Sequence, residues 1–287
     1  MPLRYDTISF LSDYGLTDEF VGVVHSVIRS IAPEVAVIDI THGIKPYDVR
    51  AGGLALARSA SYLCPGVVVA VVDPVVGTAR RAIAVEVGDG MSVLVGPDNG
   101  ILAAAVALCG GATRAVQITN PDYCLPGDST TFDGRDIFGP AAAHLCLGVD
   151  LADLGPSIDP ISLFPAMIPL TREDEGRLHG EVLWVDRYGN AQLNVDPDEL
   201  VEFEEHVRLV FDDGSRTARR VSNFASVEQN EVGLVVDAYG LLAIVLDRRS
   251  AADELGLTAG SAVTIEAVDE DRMPGTVTAV NLGPRRT

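Results

Sequence analysis

The sequence predicts an N-terminal α/β domain with a mainly parallel sheet, followed by a smaller C-terminal β-barrel domain. Strand and helix signals alternate through the first half of the chain. A stretch with four prolines and little periodicity, Gly155 to Leu178, then interrupts the pattern. Beyond it, short alternating segments sit between turn signals. The expected divisions are an α/β domain over residues 1–160, a linker over 161–178 and a barrel over 179–287.

In order, "TISFLSD" reads as a strand ending at Asp13, and "YGLT" turns into a helix from about Thr17. Asp18 and Glu19 suit that helix's first turn, where the macrodipole is positive. "EVAVIDIT" is a second strand, and "HGIKPYDVRAGGLALARSASYL" is a turn and then a helix. "GVVVAVVD" is apolar enough to be buried on both faces. "AIAVEV" and "SVLVGP" form a hairpin around "GDG", and "NGILAAAVAL" and "RDIFGPAAAHLCLG" are helices. The barrel segments are "GEVLWVDR", "AQLNV", "HVRLVF", "GLVVDAYG", "LLAIVL" and "AVTIEAV", with a helical piece near Ser250 to Leu255. The tail from Asp269 is expected to be peripheral.

Composition excludes several classes. With 287 residues and 47% hydrophobic content, the chain fills a core without staples. Cys64, Cys109, Cys124 and Cys146 show no CxxC or Cys/His spacing, so neither a zinc site nor a disulfide framework is expected, and no metal is assigned. A formal net charge of −20 repels nucleic-acid backbone and anionic lipid, and no basic patch offsets it. No apolar run is long enough to span a bilayer and no secretory signal opens the chain, so the expected location is cytoplasmic.

In parallel α/β sheets, ligands sit beyond the carboxyl ends of the strands. Three strands end there on polar groups: Asp13, the "THG" around His42, and Asp73 of "VVDPVVGTARR". Each has a structural alternative. A strand-end Asp commonly caps the next turn, and Asp73 can simply pair with Arg80 or Arg81.

The joint pattern carries more. "FLSDYGLTDEFVG", "DITHGIKPYDVRAG", "VVDPVVGTARR", "LVGPDNGIL", "TFDGRDIFGPAAAHL" and "VDRYGNAQLN" occur in this order and carry a resemblance that runs from about Ile8 to Val268. Together they resemble the S-adenosyl-L-methionine (SAM) hydroxide adenosyltransferases, or SAM hydrolases, a family that includes fluorinase and chlorinase enzymes. The resemblance implies conversion of SAM and water to adenosine and L-methionine, with SAM as substrate and no cofactor. It also implies a homotrimer with sites at subunit interfaces. By the same resemblance Asp13 binds the ribose hydroxyls and Tyr47 covers the ribose. Asp186 and Asn190 hold the methionine amine and the nucleoside, and Phe224 of "NFAS" contacts ligand. Asp73 and Arg80 match the first two members of an Asp, Arg and His set that prepares the water. The third departs: the family's "TFHGRD" reads "TFDGRD", placing Asp133 where the His is expected, and His144 reads as a core or capping residue.

The chemistry of that set can be argued without the name. Methionine leaves a sulfonium as a neutral thioether, so the demand is for a nucleophile aligned behind C5′ and stripped of bulk water. A carboxylate accepts the water's proton, while an always-charged arginine stabilises developing hydroxide and holds a carboxylate ionised. Two carboxylates beside one guanidinium tend to share a proton, which predicts an altered pH profile if Asp133 faces the site. A fixed carboxylate at Asp73 also repels chloride or fluoride, which argues against a halogenase. Relatives of the halide type carry a neutral residue there, and Val76 and Gly134 replace hydroxyl residues of the fluorinase pocket. The fluorinase insertion is missing as well, since "VEVGDGMSVLVGP" is a short hairpin. Ala238 and Tyr239 of "DAYG" stand where relatives have a Ser-containing turn for the methionine carboxylate. A SAM or adenosine sensor without turnover is the non-enzymatic alternative.

Overall fold

The computed structural model describes residues 3–127, 130–166 and 168–268, so the tail from Asp269 lies outside the described residues. The chain divides into two compact units, Met1–Ile168 and Pro169–Thr287.

The first unit is built on a six-stranded sheet of order β2-β1-β3-β5-β4-β6. Strands β1 (Thr7–Ser12), β2 (Ala36–Thr41), β3 (Val67–Val71) and β5 (Ser92–Pro97) run parallel, while β4 (Ala82–Val87) is antiparallel to both β5 and β6 (Ala112–Gln117). Every residue of β3 is buried because helices cover both faces. Val67, Val69 and Val71 pack towards α1 (Phe20–Ile31) and α4 (Gly139–Cys146). Val68, Ala70 and Val72 pack towards α2 (Val49–Ala60) and α3 (Ala103–Leu108). Alternation in a strand covered on both sides turns every position apolar.

Some local expectations shift. Helix α1 begins at Phe20 rather than Thr17, so Asp18 precedes it and Glu19 is its N-cap. Helix α3 begins at Ala103, because Asn99 makes the preceding turn: its Nδ2 donates to the Val72 carbonyl (2.8 Å) and its Oδ1 accepts from the Ile101 amide (3.2 Å). Strand β6 was not anticipated.

In the second unit β8 (Arg177–Val185), β9 (Ala191–Leu193), β10 (His206–Phe211), β11 (Gly214–Val221), β12 (Val232–Val236), β13 (Leu242–Leu246) and β14 (Ala262–Ala267) close into a barrel through the β14–β8 pairing. Closure removes the exposed edges an open sheet would leave. Leu178, Val182, Leu193, Leu209, Leu234, Ile244 and Ile265 fill the interior. The short strand β7 (Arg172–Asp174) pairs with β8 inside the stretch expected to be linker. Helix α5 (Ala251–Leu255) is capped by Ser250, whose Oγ accepts from the Asp253 amide at 3.0 Å.

Candidate active site

Two strand ends of the first unit converge on one cleft. Asp13 follows β1, and its backbone amide donates to the Val71 carbonyl of β3 (3.3 Å). Its Oδ2 accepts from the Tyr47 amide (2.9 Å). Tyr47 has φ of 70°, a left-handed conformation uncommon for a bulky residue, and its ring is exposed. Asp13 therefore holds the loop that presents Tyr47.

Asp73 lies just past β3. The chain then makes two tight turns, Val76 amide to Asp73 carbonyl (3.4 Å) and Thr78 amide to Val75 carbonyl (3.3 Å), which return Arg80 to the strand end. Arg80 Nε donates to Asp73 Oδ2 at 2.8 Å, and Arg80 Nη2 donates to the same oxygen. Nη2 also donates to Oδ2 of Asp133, so the site gathers two carboxylates around one guanidinium. All three side chains are largely buried, and the Arg80 guanidinium lies 5.3 Å from the centre of the Phe138 ring. Arg81 takes no part here and pairs instead with Asp98. Asp73 Oδ1 is also buried and accepts no hydrogen bond from the described residues. A buried acceptor in that state costs free energy until a donor reaches it.

Asp133 stands immediately before a π-helical turn, Gly134–Phe138, that runs into α4. Such turns re-aim side chains and recur at functional sites. Burial pushes the Asp133 carboxyl up from its ordinary value; Arg80 opposes the shift and the Asp73 and Asp136 charges add to it. The Asp133 side chain thus faces Arg80. His144 does not line the cleft; it packs edge-on against Tyr123 at 5.1 Å, and burial pushes its pKa down.

The cleft has a volume of about 460 Å³. Asp13, Asp18, Asp73 and Asp133 give it an acidic lining, and Tyr14, Phe20, Tyr47 and Phe132 supply aromatic walls. Tyr14, Phe20 and Phe132 pack mutually, with ring centres 5.2 to 5.8 Å apart. Burial, with the Asp13, Asp73 and Asp133 charges behind it, raises the Tyr14 phenol far above its ordinary value, so its hydroxyl keeps its proton. Sequence reasoning missed this aromatic group, although all three rings sit inside the quoted motifs.

The profile of the SAM hydroxide adenosyltransferase N-terminal domain matches residues 8–155, and that of the C-terminal domain matches residues 180–264. The chain belongs to the SAM hydroxide adenosyltransferase family. An (R)-S-adenosyl-L-methionine hydrolase from Salinispora tropica is 44% identical, over 91% of this chain and 97% of its own. A protein of the same name from Thermus thermophilus is 38% identical, over 90% and 98%. A fluorinase from an Actinoplanes species is more distant, at 26% identity over 90% and 96%. A crystal structure of an uncharacterised conserved protein from Thermotoga maritima is similar to this chain with TM-score 0.84 and 32% identity, over 90% of this chain and 99% of that one.

Asp186, Asn190 and Phe224, expected from the resemblance to contact ligand, all lie in the second unit. Asp186 and Asn190 contact each other: Asp186 Oδ1 accepts from the Tyr188 and Asn190 amides (2.8 and 2.9 Å), and Oδ2 accepts from Asn190 Nδ2 (2.8 Å). "DAYG" repeats this loop, with Asp237 Oδ1 accepting from the Tyr239 and Leu241 amides (2.8 and 3.2 Å). Buried Gln192 of β9 donates to Asp237 Oδ2, a contact the sequence did not signal. Phe224 is exposed, at the head of a turn capped by Asn223.

Proposed function

We propose that this chain hydrolyses SAM by attack of water at C5′, giving adenosine and L-methionine. The observation that carries the reading is the split use of Asp73: Arg80 occupies Oδ2, while Oδ1 is buried and unpaired at the end of β3. An oxygen so placed accepts a proton from a water aligned on C5′. As the water oxygen bonds to C5′, the C5′–S bond breaks, its electron pair stays on sulfur, and the water's proton passes to Asp73 Oδ1. Arg80 stabilises the developing hydroxide. The acidic, aromatic-walled cleft suits a cationic sulfonium bearing a nucleoside.

Asp13 and Tyr47 are assigned to the ribose, and Asp186, Asn190 and Phe224 to the methionine and nucleoside ends. SAM is the substrate, and the reaction as written needs no cofactor. The chain is taken to act in the cytoplasm as a homotrimer; among the described residues no helix is long and apolar enough to cross a membrane. Light scattering of the purified chain tests the trimer.

Incubation with SAM in H₂¹⁸O, with each sulfonium epimer supplied separately, tests the reaction. The relatives' names direct attention to the (R) epimer. Adenosine carrying ¹⁸O at its 5′-hydroxyl is expected. Binding of adenosine without turnover of either epimer would make the chain a sensor, and 5′-halo-adenosine formed in salt would make it a halogenase.

A further inference from the structure

We propose that His25, Asp39 and His42 form a binding site for a divalent transition-metal ion of the zinc, cobalt and nickel class. The three come from different elements: His25 from the middle of α1, Asp39 from the edge strand β2, and His42 from just beyond it. No Cys pair and no short His spacing announces them, which is why the sequence pattern alone assigns no metal. Their donor atoms all lie within 4.8 Å of one another. His25 Nε2 stands 2.9 Å and His42 Nε2 3.0 Å from the same oxygen, Asp39 Oδ1.

His42 carries the argument furthest. It is only 4% exposed, and its Nδ1 lies 2.7 Å from Ser12 Oγ, which fixes the ring with Nε2 on the side of Asp39 and His25. Phe10 packs edge-on against the same imidazole at 4.7 Å and lies beside His25 at 6.1 Å, closing the inner side of the group. Although Asp39 Oδ1 is near, it lies off the direction in which Nε2 can hydrogen-bond, and Nε2 is left buried without a hydrogen-bond partner. A cation between the three donors resolves this, because it takes the Nε2 lone pair and the carboxylate together.

The chemistry of the set fits. Two imidazole nitrogens and a carboxylate oxygen suit zinc, cobalt or nickel, with bonds of about 2.0–2.2 Å. Tetrahedral bonds of that length put donors about 3.4 Å apart, so on binding the nitrogen–oxygen distances of 2.9 and 3.0 Å lengthen and the two imidazole nitrogens, within 4.8 Å of each other, settle at the same spacing. The Ser12 contact on Nδ1 is the kind of outer hydrogen bond that orients a ligating histidine. The His25 and Asp39 side chains are 33% and 40% exposed, which leaves solvent access for entry and for water ligands. None of the three lines the catalytic cleft. The Gly15 amide does donate to the His42 carbonyl at 2.8 Å, so a bound ion would brace the turn that follows Asp13.

The test uses the full chain, stripped with chelator and dialysed into a non-coordinating buffer. Calorimetric titration with Zn²⁺ and Ni²⁺ should show one saturable site per chain, and Co²⁺ should develop visible d–d absorption. Both signals should disappear in His25→Ala and Asp39→Asn, persist in His206→Ala and Cys64→Ser, and coincide with a rise in Tm seen only where His25 and Asp39 are both present. His25 lies partly exposed on a helix surface, so circular dichroism of the apo variant distinguishes lost binding from lost folding. Absence of stoichiometric binding, or binding that survives His25→Ala or depends on Cys64, overturns the proposal and leaves a carboxylate between two histidines as a purely structural contact.

Discussion

Asp73 and Asp133 share a single guanidinium nitrogen: Nη2 of Arg80 donates to Oδ2 of each. The two acids lie 60 residues apart in sequence and both line the same cleft. The resulting cluster holds one cation and up to two anions, so its charge depends on whether the pair of acids keeps a proton.

Asp73→Asn keeps the shape and an acceptor for Arg80 while removing the base. Turnover of SAM should fall about 10²- to 10⁴-fold, the usual worth of a positioned general base, with binding of adenosine and SAM changed only a few-fold. Single-turnover kinetics beside calorimetry separates the two quantities. A variant that binds weakly but turns over normally once saturated would show that Asp73 serves binding, not proton transfer.

Asp133 sets the pH dependence. Burial raises its pKa above the ordinary carboxylate value of 3.8, so the folded chain binds its proton more tightly than the unfolded chain does. The linkage sign follows: stability from this group is fully present below the ordinary value and declines as pH rises through the raised one. Asp133→Asn should flatten that decline, read as Tm against pH. For catalysis the ionised form adds negative charge beside Asp73 and the sulfonium. The acid limb of kcat/KM is therefore expected above the ordinary carboxylate range, and Asp133→Asn should move it to lower pH. An unmoved limb would remove Asp133 from the reaction.

What was legible in the sequence follows from period and spacing. Strand β3 could be read because a strand covered on both faces is apolar at every position. Strand β11 could not. Its "GSRTARRV" carries three arginines, and the partners of two of them lie elsewhere: Arg219 with Glu231 (2.6 Å), and Arg220 with the carbonyls of Leu200 and Phe203 (both 2.9 Å). Those contacts are set by tertiary structure, which local pattern does not encode. The same division runs through the site. Asp73 and Arg80 fall within one motif, but the approach of Asp133, the ring group of Tyr14, Phe20 and Phe132, and the His25–Asp39–His42 cluster are products of chain folding.

Arg80 has a structural duty as well as a chemical one. Truncation to Ala leaves two buried acids facing each other without a cation, and breaking a buried pair of this kind costs about 3 to 5 kcal/mol. Chemical denaturation should show a loss of that order, smaller at low pH, where the acids protonate. Arg80→Lys restores the charge but not the fork that reaches both carboxylates. It should recover much of the stability and little of the turnover; full recovery of turnover would make Arg80 a point charge only.

Gly134 fixes where Asp133 stands. A Cβ built on Gly134 would lie 2.2 Å from the Tyr14 hydroxyl oxygen, with the ring carbons Cζ and Cε2 at 3.1 and 3.2 Å. Tyr14 cannot simply swing away, because its ring is packed against Phe10, Phe20 and Phe132. Gly134→Ala must therefore shift either that aromatic group or the π-helical turn carrying Asp133, at a cost of about 1–3 kcal/mol for overpacking. Tyr14→Phe deletes the atom in closest conflict, so the double variant should be more stable than Gly134→Ala alone. The two changes should couple by about 1 kcal/mol in a double-mutant cycle. SAM turnover should follow the same order, since the displaced turn pulls Asp133 from Arg80 and its restoration returns it. Additive stabilities would mean that the phenol and the glycine do not meet, and that the turn is held by its own backbone.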